Sequence, residues 1–135
     1  MQSTLVDAGP LIALFDKGER EHMRVVRFLK EGFRGALITT WPVIVEAAYM
    51  LGKEGRRAMF IWIARGAVAV ENMSSADLSV INSLMDKYAD LPMDFADASL
   101  LWLANRTNTV NVLTLERRGF AVYRLKNERR FRGVL

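Results

Sequence analysis

The sequence predicts an α/β fold, a three-layer α/β/α sandwich whose mainly parallel sheet has about five strands. Short apolar and β-branched segments alternate with segments of helical periodicity, and this alternation implies parallel strands joined by right-handed crossovers. The length of 135 residues is typical of one domain. With 51% hydrophobic and 25% charged residues, the composition is that of a folded globular protein, so we predict a single domain over 1–135.

Glycine and proline divide the first part of the chain into a strand and two helices. The apolar run at 3–6 stops at Asp7, and Pro10 suits the first turn of a short helix through 11–15. Apolar residues then recur at helical spacing over 19–30, which predicts the second helix.

The middle of the chain repeats the alternation. A strand at 36–39 precedes a helix at 41–51, which Thr40 and Pro42 begin and Gly52 ends. The segments that follow are a helix at 54–64 and a strand at 67–70.

Capping residues mark the helices of the last part. Ser74 and Asp77 form a variant of a capping box for a helix that runs to Tyr88, and Asp94 caps a helix that runs to about Arg106. The last two strands are predicted at 110–114 and 121–125.

The composition excludes several kinds of site. There is no cysteine, so disulfides, thiolate zinc sites and cysteine nucleophiles are excluded. The single histidine, His22, argues against a histidine-rich metal site or a Ser-His-Asp triad, and we interpret it as structural. No apolar run reaches the ~18 residues of a membrane span, and the N-terminus has no basic segment typical of a signal peptide, so we expect a cytoplasmic protein.

The chain is basic, with a formal net charge of +4 and a pI of about 9.8. This charge is compatible with a nucleic-acid partner but is also common among other proteins. The segment after residue 116 is rich in arginine, and it is either a solvated tail, a dimer rim or a set of phosphate contacts. We favour RNA-phosphate contacts for Arg117 and Arg118, which adjoin an acid of interest.

Five carboxylates stand at unusual positions. Asp7 ends the first strand, where a turn or capping role is the alternative. Glu46 is the one charged residue of the helix at 41–51, whose apolar residues all round predict a buried helix. The alternative for Glu46 is a salt bridge, although no basic residue lies within a turn of it. A buried, unpaired carboxylate must neutralise, pair or bind a cation.

The other three acids lie in the last third of the chain. Asp94 and Asp97 are three apart in the first turn of one helix, where Asp94 is explained as a cap and Asp97 has less reason to be present. Glu116 follows the fourth strand, and its alternative is a surface acid paired with a neighbouring arginine.

Together these acids indicate a metal site. In a parallel sheet, strand ends and the first turns of the following helices converge on one edge. Carboxylates gathered there repel each other unless a cation lies among them. Oxygen ligands suit Mg²⁺, with Mn²⁺ as a substitute.

At this point the sequence resembles the PIN-domain nucleases and, within them, the VapC-type toxins of type II toxin–antitoxin systems. Residues 6–11 resemble the opening motif with its first acid, Asp7, and Glu46 matches the second acid of a Pro-x-x-x-Glu helix. His22 also falls where many members carry a histidine. Residues 91–100 resemble the third motif, with Asp97 as the main acid and Asp94 as its companion.

Residues 113–120 resemble the fourth motif with two departures. Many members have Asp in place of Glu116, and often a further acid in place of Gly119. The second of two metals is therefore expected to bind more weakly. The four motifs occur in the family's order and cover nearly the whole chain.

The resemblance implies a homodimeric, divalent-metal-dependent endoribonuclease with a cognate antitoxin that blocks its site. Asp7, Glu46 and Asp97 would hold one Mg²⁺, with Asp94 beside them. Glu116 would serve a second metal or orient the attacking water, and Thr114 would hydrogen bond a metal-bound water or a phosphate oxygen. The expected products carry a 5′-phosphate and a 3′-hydroxyl.

Receiver domains and haloacid-dehalogenase phosphatases also gather acids at strand ends, but the sequence lacks the acids that each of them needs. A receiver domain needs an acidic pair at the first strand, and a haloacid-dehalogenase phosphatase needs an acid where this chain has Gly9. The second alternative is a non-catalytic PIN-like RNA-binding or interaction module, which Glu116 and Gly119 leave open.

Overall fold

The computed structural model describes residues 2–135, and five strands form its single sheet. The strands are β1 Ser3–Val6, β2 Ala36–Thr40, β3 Val68–Glu71, β4 Asn111–Leu113 and β5 Arg132–Gly133. The α-helices are α1 Ala8–Phe15, α2 His22–Arg27, α3 Trp41–Met50, α4 Lys53–Ala64, α5 Leu78–Lys87, α6 Phe95–Thr107 and α7 Arg117–Val122. A π-helical segment at Phe28–Gly32 continues α2, and a 3₁₀ turn at Ser75–Asp77 leads into α5.

The sheet has the strand order β3-β2-β1-β4-β5, and all four neighbouring pairs are parallel. The predicted α/β fold with a mainly parallel five-stranded sheet and helices on both faces is confirmed. From the central strand β1, the chain adds β2 and then β3 toward one edge of the sheet. It then returns to the other side of β1, where it adds β4 and β5 toward the opposite edge. Open parallel sheets bind ligands at such a change of direction, at the carboxyl ends of the strands.

Helix α6 lies in the core against α3, α5 and β2. Its residues Ala96, Ala98–Leu103 and Ala104 are buried, and Leu100, Leu101 and Leu103 are fully so. The strands β1 and β4 contribute buried Leu5, Val6, Val112 and Leu113 to the same core. The first turn of α6 is consequently held rigidly beside the ends of these two strands.

The prediction of a fifth strand at 121–125 was wrong. Residues 117–122 form the helix α7, and Tyr123 leaves it in an extended conformation. The true edge strand is β5, in which Arg132 pairs with Asn111 and Gly133 with Val112. The apolar alternation at 121–125 instead arises because Tyr123 and Leu125 are buried in the core although they belong to no strand.

The prediction that the helix at 41–51 is buried all round was also wrong. Val43, Ile44 and Ala47 of α3 are buried, but Val45, Tyr49 and Met50 are 66%, 87% and 62% exposed. The helix packs on α1 and α6 through one face only. Its outer face is an apolar surface that no element between residues 2 and 135 covers.

His22 fits the structural interpretation. Its Nδ1 lies 2.7 Å from the carbonyl oxygen of Ala13 and so joins the start of α2 to α1.

Within residues 2–135, none of the helices combines the length and apolar character that crossing a lipid bilayer requires.

Candidate active site

A crevice of about 600 Å³ opens at the carboxyl ends of β1 and β4, where the strand order changes direction. Six carboxylates line it: Asp7, Glu46, Asp90, Asp94, Asp97 and Glu116. The remaining lining residues are Gly9, Leu91, Pro92, Leu115, Arg118, Gly119 and Tyr123. The structure therefore brings together all five acids that the sequence singled out and adds Asp90.

Asp7 is the most constrained of these acids. Its backbone N–H donates to the carbonyl oxygen of Leu113 at 3.0 Å, which extends the β1–β4 ladder to the crevice. One carboxylate oxygen accepts from the N–H of Ala8 and the other from the hydroxyl of Thr114, both at 2.8 Å. The side chain is 7% exposed. Asp7 thus caps α1, as its alternative interpretation held, while its carboxylate also lines the crevice.

Thr114 joins Asp7 to Glu116. Its hydroxyl donates to Asp7 and accepts from the N–H of Glu116 at 2.9 Å. The carboxylate of Glu116 in turn accepts from the N–H of Arg118 at 3.1 Å and caps α7. In this structure the hydroxyl proton of Thr114 is thus donated to Asp7.

Asp94 and Asp97 form a reciprocal capping box at the start of α6. The N–H of Asp97 donates to Asp94 at 2.8 Å, and the N–H of Asp94 donates to Asp97 at 3.3 Å. The argument that Asp97 lacks a capping role was therefore wrong, because each acid satisfies one free N–H of the other. The box also fixes both carboxylates at the edge of the crevice.

The crevice raises the pKa of several acids. Burial raises the pKa of Asp7, although its hydrogen bonds with Thr114 and Ala8 oppose this shift. Burial and the negative charge of Asp94 raise the pKa of Asp97 to about 7. Partial burial of the carboxyl group, followed by the charges of Asp94 and Asp7, raises the pKa of Glu46 to about 7. The charge of Asp94 therefore acts on both Glu46 and Asp97.

No ion pair neutralises these acids within residues 2–135. The two ion pairs of that range join Arg24 to Glu21 and Arg106 to Glu71, far from the crevice. The salt-bridge alternatives for Glu46 and Glu116 therefore find no support. No three acidic or histidine side chains of the described residues are already placed to hold one ion together. The donor set still fits a hard divalent cation, because it consists of oxygens whose charges lack a counter-ion.

Buried hydroxyl groups join two of the helices that carry acids of the crevice. The hydroxyl of Thr40 lies 2.6 Å from that of Ser99, which donates to the carbonyl oxygen of Ala96 at 2.7 Å. Thr40 precedes α3 but makes no side-chain capping bond, because its hydroxyl faces Ser99 instead. These bonds connect the start of the Glu46 helix to the start of the Asp97 helix.

The fold and the crevice can be compared with known proteins. Over 124 residues, the chain is 30% identical to Ribonuclease VapC26 of Mycobacterium tuberculosis (strain ATCC 25618 / H37Rv), and the match covers 89% of this chain and 91% of the relative. The chain belongs to the VapC family of ribonucleases. The predicted resemblance to VapC-type PIN-domain toxins is confirmed at the level of the family.

The VapC fold is seen directly in a solved structure. Mycobacterium tuberculosis VapC20, described as a sarcin-ricin loop cleaving toxin, superposes with a TM-score of 0.74 at 18% identity. The superposition covers 85% of this chain and 91% of VapC20. At this identity the comparison supports the fold alone. A scan of family models gave no match.

The two arginines predicted to contact RNA occupy different positions in this VapC-family chain. Arg118 lines it, whereas the guanidinium of Arg117 lies 3.5 Å from the carbonyl oxygen of Leu135. Sequence reasoning missed Asp90 and Tyr123. Asp90 follows a helix as an ordinary exposed acid, and Tyr123 fell in the wrongly predicted strand, so neither gave a signal.

Proposed function

We propose that this VapC-family chain is a toxin-type endoribonuclease that cleaves RNA phosphodiester bonds in the carboxylate crevice with a bound Mg²⁺, or Mn²⁺ in its place. The observation that carries the proposal is a cluster of acids none of which forms an ion pair within residues 2–135. Burial and mutual repulsion raise the pKa of Asp7, Glu46 and Asp97, and a divalent cation would remove that repulsion.

Asp7, Glu46 and Asp97 would hold the first cation, with Asp94 beside them and Glu116 available for a second. When bound, the cation lowers the pKa of a water and stabilises negative charge on the phosphate. Asp7 needs no reorganisation to serve as a ligand, because Ala8 and Thr114 already fix both its oxygens. Each of those oxygens keeps a further lone pair for a cation.

Two neighbouring arginines of α7 suit contacts with the RNA itself. Arg118 lines the crevice and would contact a phosphate, while Arg117 would contact the RNA only after leaving Leu135. Glu116, fixed through its backbone by Thr114, would orient the attacking water or bind the second cation. Hydrolysis in this way leaves a 5′-phosphate and a 3′-hydroxyl.

The test measures cleavage of structured and single-stranded RNAs with Mg²⁺, with Mn²⁺ and with EDTA. We expect metal-dependent cleavage that Asp7→Asn abolishes and that Asp86→Asn, an exposed acid outside the crevice, preserves. Calorimetric titration of Mn²⁺ gives a second readout, in which Asp7→Asn binds the ion more weakly. Cleavage that proceeds unchanged in EDTA, or in Asp7→Asn, would rule the proposal out.

A second candidate function is a non-catalytic RNA-binding module of the same family. The observation in its favour is the fourth motif, where Glu116 and Gly119 depart from the acids common among the relatives that the sequence resembles. Such a module would bind RNA equally well with and without Mg²⁺ and would cut none. The same assays therefore separate the two functions.

We also propose that the chain forms a homodimer through the outer face of α3, defined by Trp41, Val45, Tyr49 and Met50. These side chains are between 48% and 87% exposed, and Phe95 beside them is 41% exposed. An exposed apolar patch of this kind marks an interaction site. A second copy is the occupant that the VapC resemblance implies.

The dimer is tested by light scattering coupled to gel filtration. Val45→Glu with Tyr49→Glu should yield a monomer, whereas Met23→Glu, which changes an equally exposed residue of α2, should not. A dimer that survives the α3 substitutions would exclude this surface.

We also propose that a cognate antitoxin blocks the crevice and that the protein is cytoplasmic. Purified antitoxin should then inhibit RNA cleavage.

A further inference from the structure

Tyr123 reaches the crevice from a position that its own ring packing fixes. The residue is 2% exposed overall yet lines the crevice together with the carboxylates. Its ring packs edge-on against Tyr88 at 5.0 Å and Phe120 at 5.3 Å, measured between ring centroids. These two rings hold the orientation of the Tyr123 ring and thereby fix the position of its hydroxyl group.

That place exists because residue 119 is glycine. A Cβ atom at Gly119 would lie 2.7 Å from the hydroxyl oxygen of Tyr123 and 2.9 Å from its Cζ atom. Any other side chain at 119 would thus overlap the phenol. The hydroxyl of Tyr123 occupies the space that the side chain of residue 119 would need at the crevice wall.

The hydroxyl is also free to donate. No hydrogen bond within residues 2–135 uses it, and none of the fully buried polar side-chain atoms of that range lacks a partner. The Tyr123 oxygen must accordingly be open to the crevice rather than sealed beneath it. Burial, and then the charges of Asp97 and Asp94, raise the pKa of Tyr123 well above its ordinary value, so the proton stays on the oxygen.

A neutral hydrogen-bond donor differs chemically from the charged side chains that line this crevice. The carboxylates accept hydrogen bonds and repel phosphate, and the proton of Thr114 is already used by Asp7. A phosphate that enters the crevice presents non-bridging oxygens, which are acceptors. Tyr123 can donate to one of them without adding a charge.

We infer that Tyr123 is a substrate-contacting residue, whose hydroxyl donates a hydrogen bond to a non-bridging oxygen of the RNA phosphate bound in the crevice. The inference rests on the proposed function, since it names the group that the crevice would contact. It assigns to the end of α7 a contact that the four acidic motifs do not include. It also gives a reason for glycine at 119.

The variant Tyr123→Phe removes only the hydroxyl, and Tyr88→Phe is its matched control. Tyr88 packs against Tyr123 but does not line the crevice, and its hydroxyl accepts a hydrogen bond from the backbone N–H of Arg124 at 3.0 Å. We expect Tyr123→Phe to keep its melting temperature and to lower single-turnover cleavage by about tenfold or more. Tyr88→Phe should lower the melting temperature and leave cleavage unchanged.

Sulfur substitution separates a direct contact from a structural effect. Each non-bridging oxygen of the scissile phosphate is replaced in turn by sulfur, a weaker acceptor. With one of the two diastereomers, the difference between wild type and Tyr123→Phe should shrink to about threefold or less, as expected for two groups that interact. Equal differences for both diastereomers and the unmodified RNA would overturn the contact.

Binding provides an arm that does not depend on catalysis. In an Asp97→Asn background, Tyr123→Phe should weaken the Kd for a fluorescein-labelled single-stranded RNA severalfold, and Tyr88→Phe should not. If wild type cuts no RNA under any condition, the proposed function fails and this comparison alone decides the inference. Unchanged Kd values in Tyr123→Phe would then reject it, as would unchanged cleavage in an active enzyme.

Discussion

Asp7 shows how a single residue serves the fold and the site together. Its main chain ends the β1–β4 ladder, and its side chain caps α1 while facing the crevice. The sequence predicted the position of Asp7 correctly because the strand and the break after it are local features. It gave no indication of the Thr114 bond, which joins residues 107 apart. Tyr123 was missed for the same reason, since its role depends on Gly119 and on distant aromatic rings.

At the scale of single residues, the raised pKa values predict how stability depends on pH. The pKa of Glu46 and of Asp97 is about 7 in the folded protein, against ordinary values of 4.5 and 3.8. The folded chain therefore binds protons that the unfolded chain releases between about pH 4 and pH 7. The stabilisation from these groups is complete below pH 4 and is lost as the pH rises through 7.

The measurement is urea unfolding in EDTA at pH 5.5 and pH 8. We expect the free energy of unfolding of wild type, relative to Glu46→Gln/Asp97→Asn, to fall between the two pH values. The double variant lacks both titrations and is the control. A wild type that gains stability relative to the double variant as the pH rises would contradict the sign of these shifts.

At the scale of elements, capping residues marked where two helices, α5 and α6, begin, and the sequence predicted these two starts well. Asp94 caps α6 and Ser74 with Asp77 caps the turn before α5, as expected from residue type and spacing. The failures occurred where tertiary contacts override a local pattern. Apolar alternation at 121–125 became a helix end and a loop, and the apolar helix α3 is covered on one side only.

The capping box of α6 can be separated from the charge of the crevice. Asp94→Asn and Asp94→Ala both remove the negative charge, but asparagine keeps an oxygen that can accept from the N–H of Asp97. We expect the asparagine variant to be more stable than the alanine variant by about 1 kcal/mol. Urea unfolding of the two proteins in EDTA measures the difference. Equal stabilities would mean that the cap contributes nothing.

At the scale of the whole molecule, the core centres on α6, which is apolar nearly all round and buried along most of its length. Unlike α3, it has neighbours on several sides, namely α3, α5 and the sheet. The sequence could not distinguish the two helices, because burial depends on what surrounds a helix and not on its own composition. The overall fold was predictable because it follows from the order of the elements.

Truncation of the core residue Leu101, which is fully buried in α6, should therefore affect the whole molecule. Leu101→Ala removes buried methyl groups and leaves a cavity, at a cost of about 2–5 kcal/mol. Against a total of about 5–15 kcal/mol, this is a large share. Thermal unfolding should show a lower melting temperature for this variant than for Ile61→Ala, which changes a 45% exposed residue. A similar loss for both would contradict the burial pattern.

The pairing of β1 with β4 has a consequence for the way this protein is made. Asp7 is synthesised 107 residues before Thr114, which hydrogen bonds to its carboxylate. A message that breaks or a ribosome that stalls before codon 111 yields a polypeptide without β4 and without the crevice residues that follow it. Such a partial copy has no strand to pair with β1 at the crevice, so we expect a premature stop codon at any earlier position to remove the proposed activity.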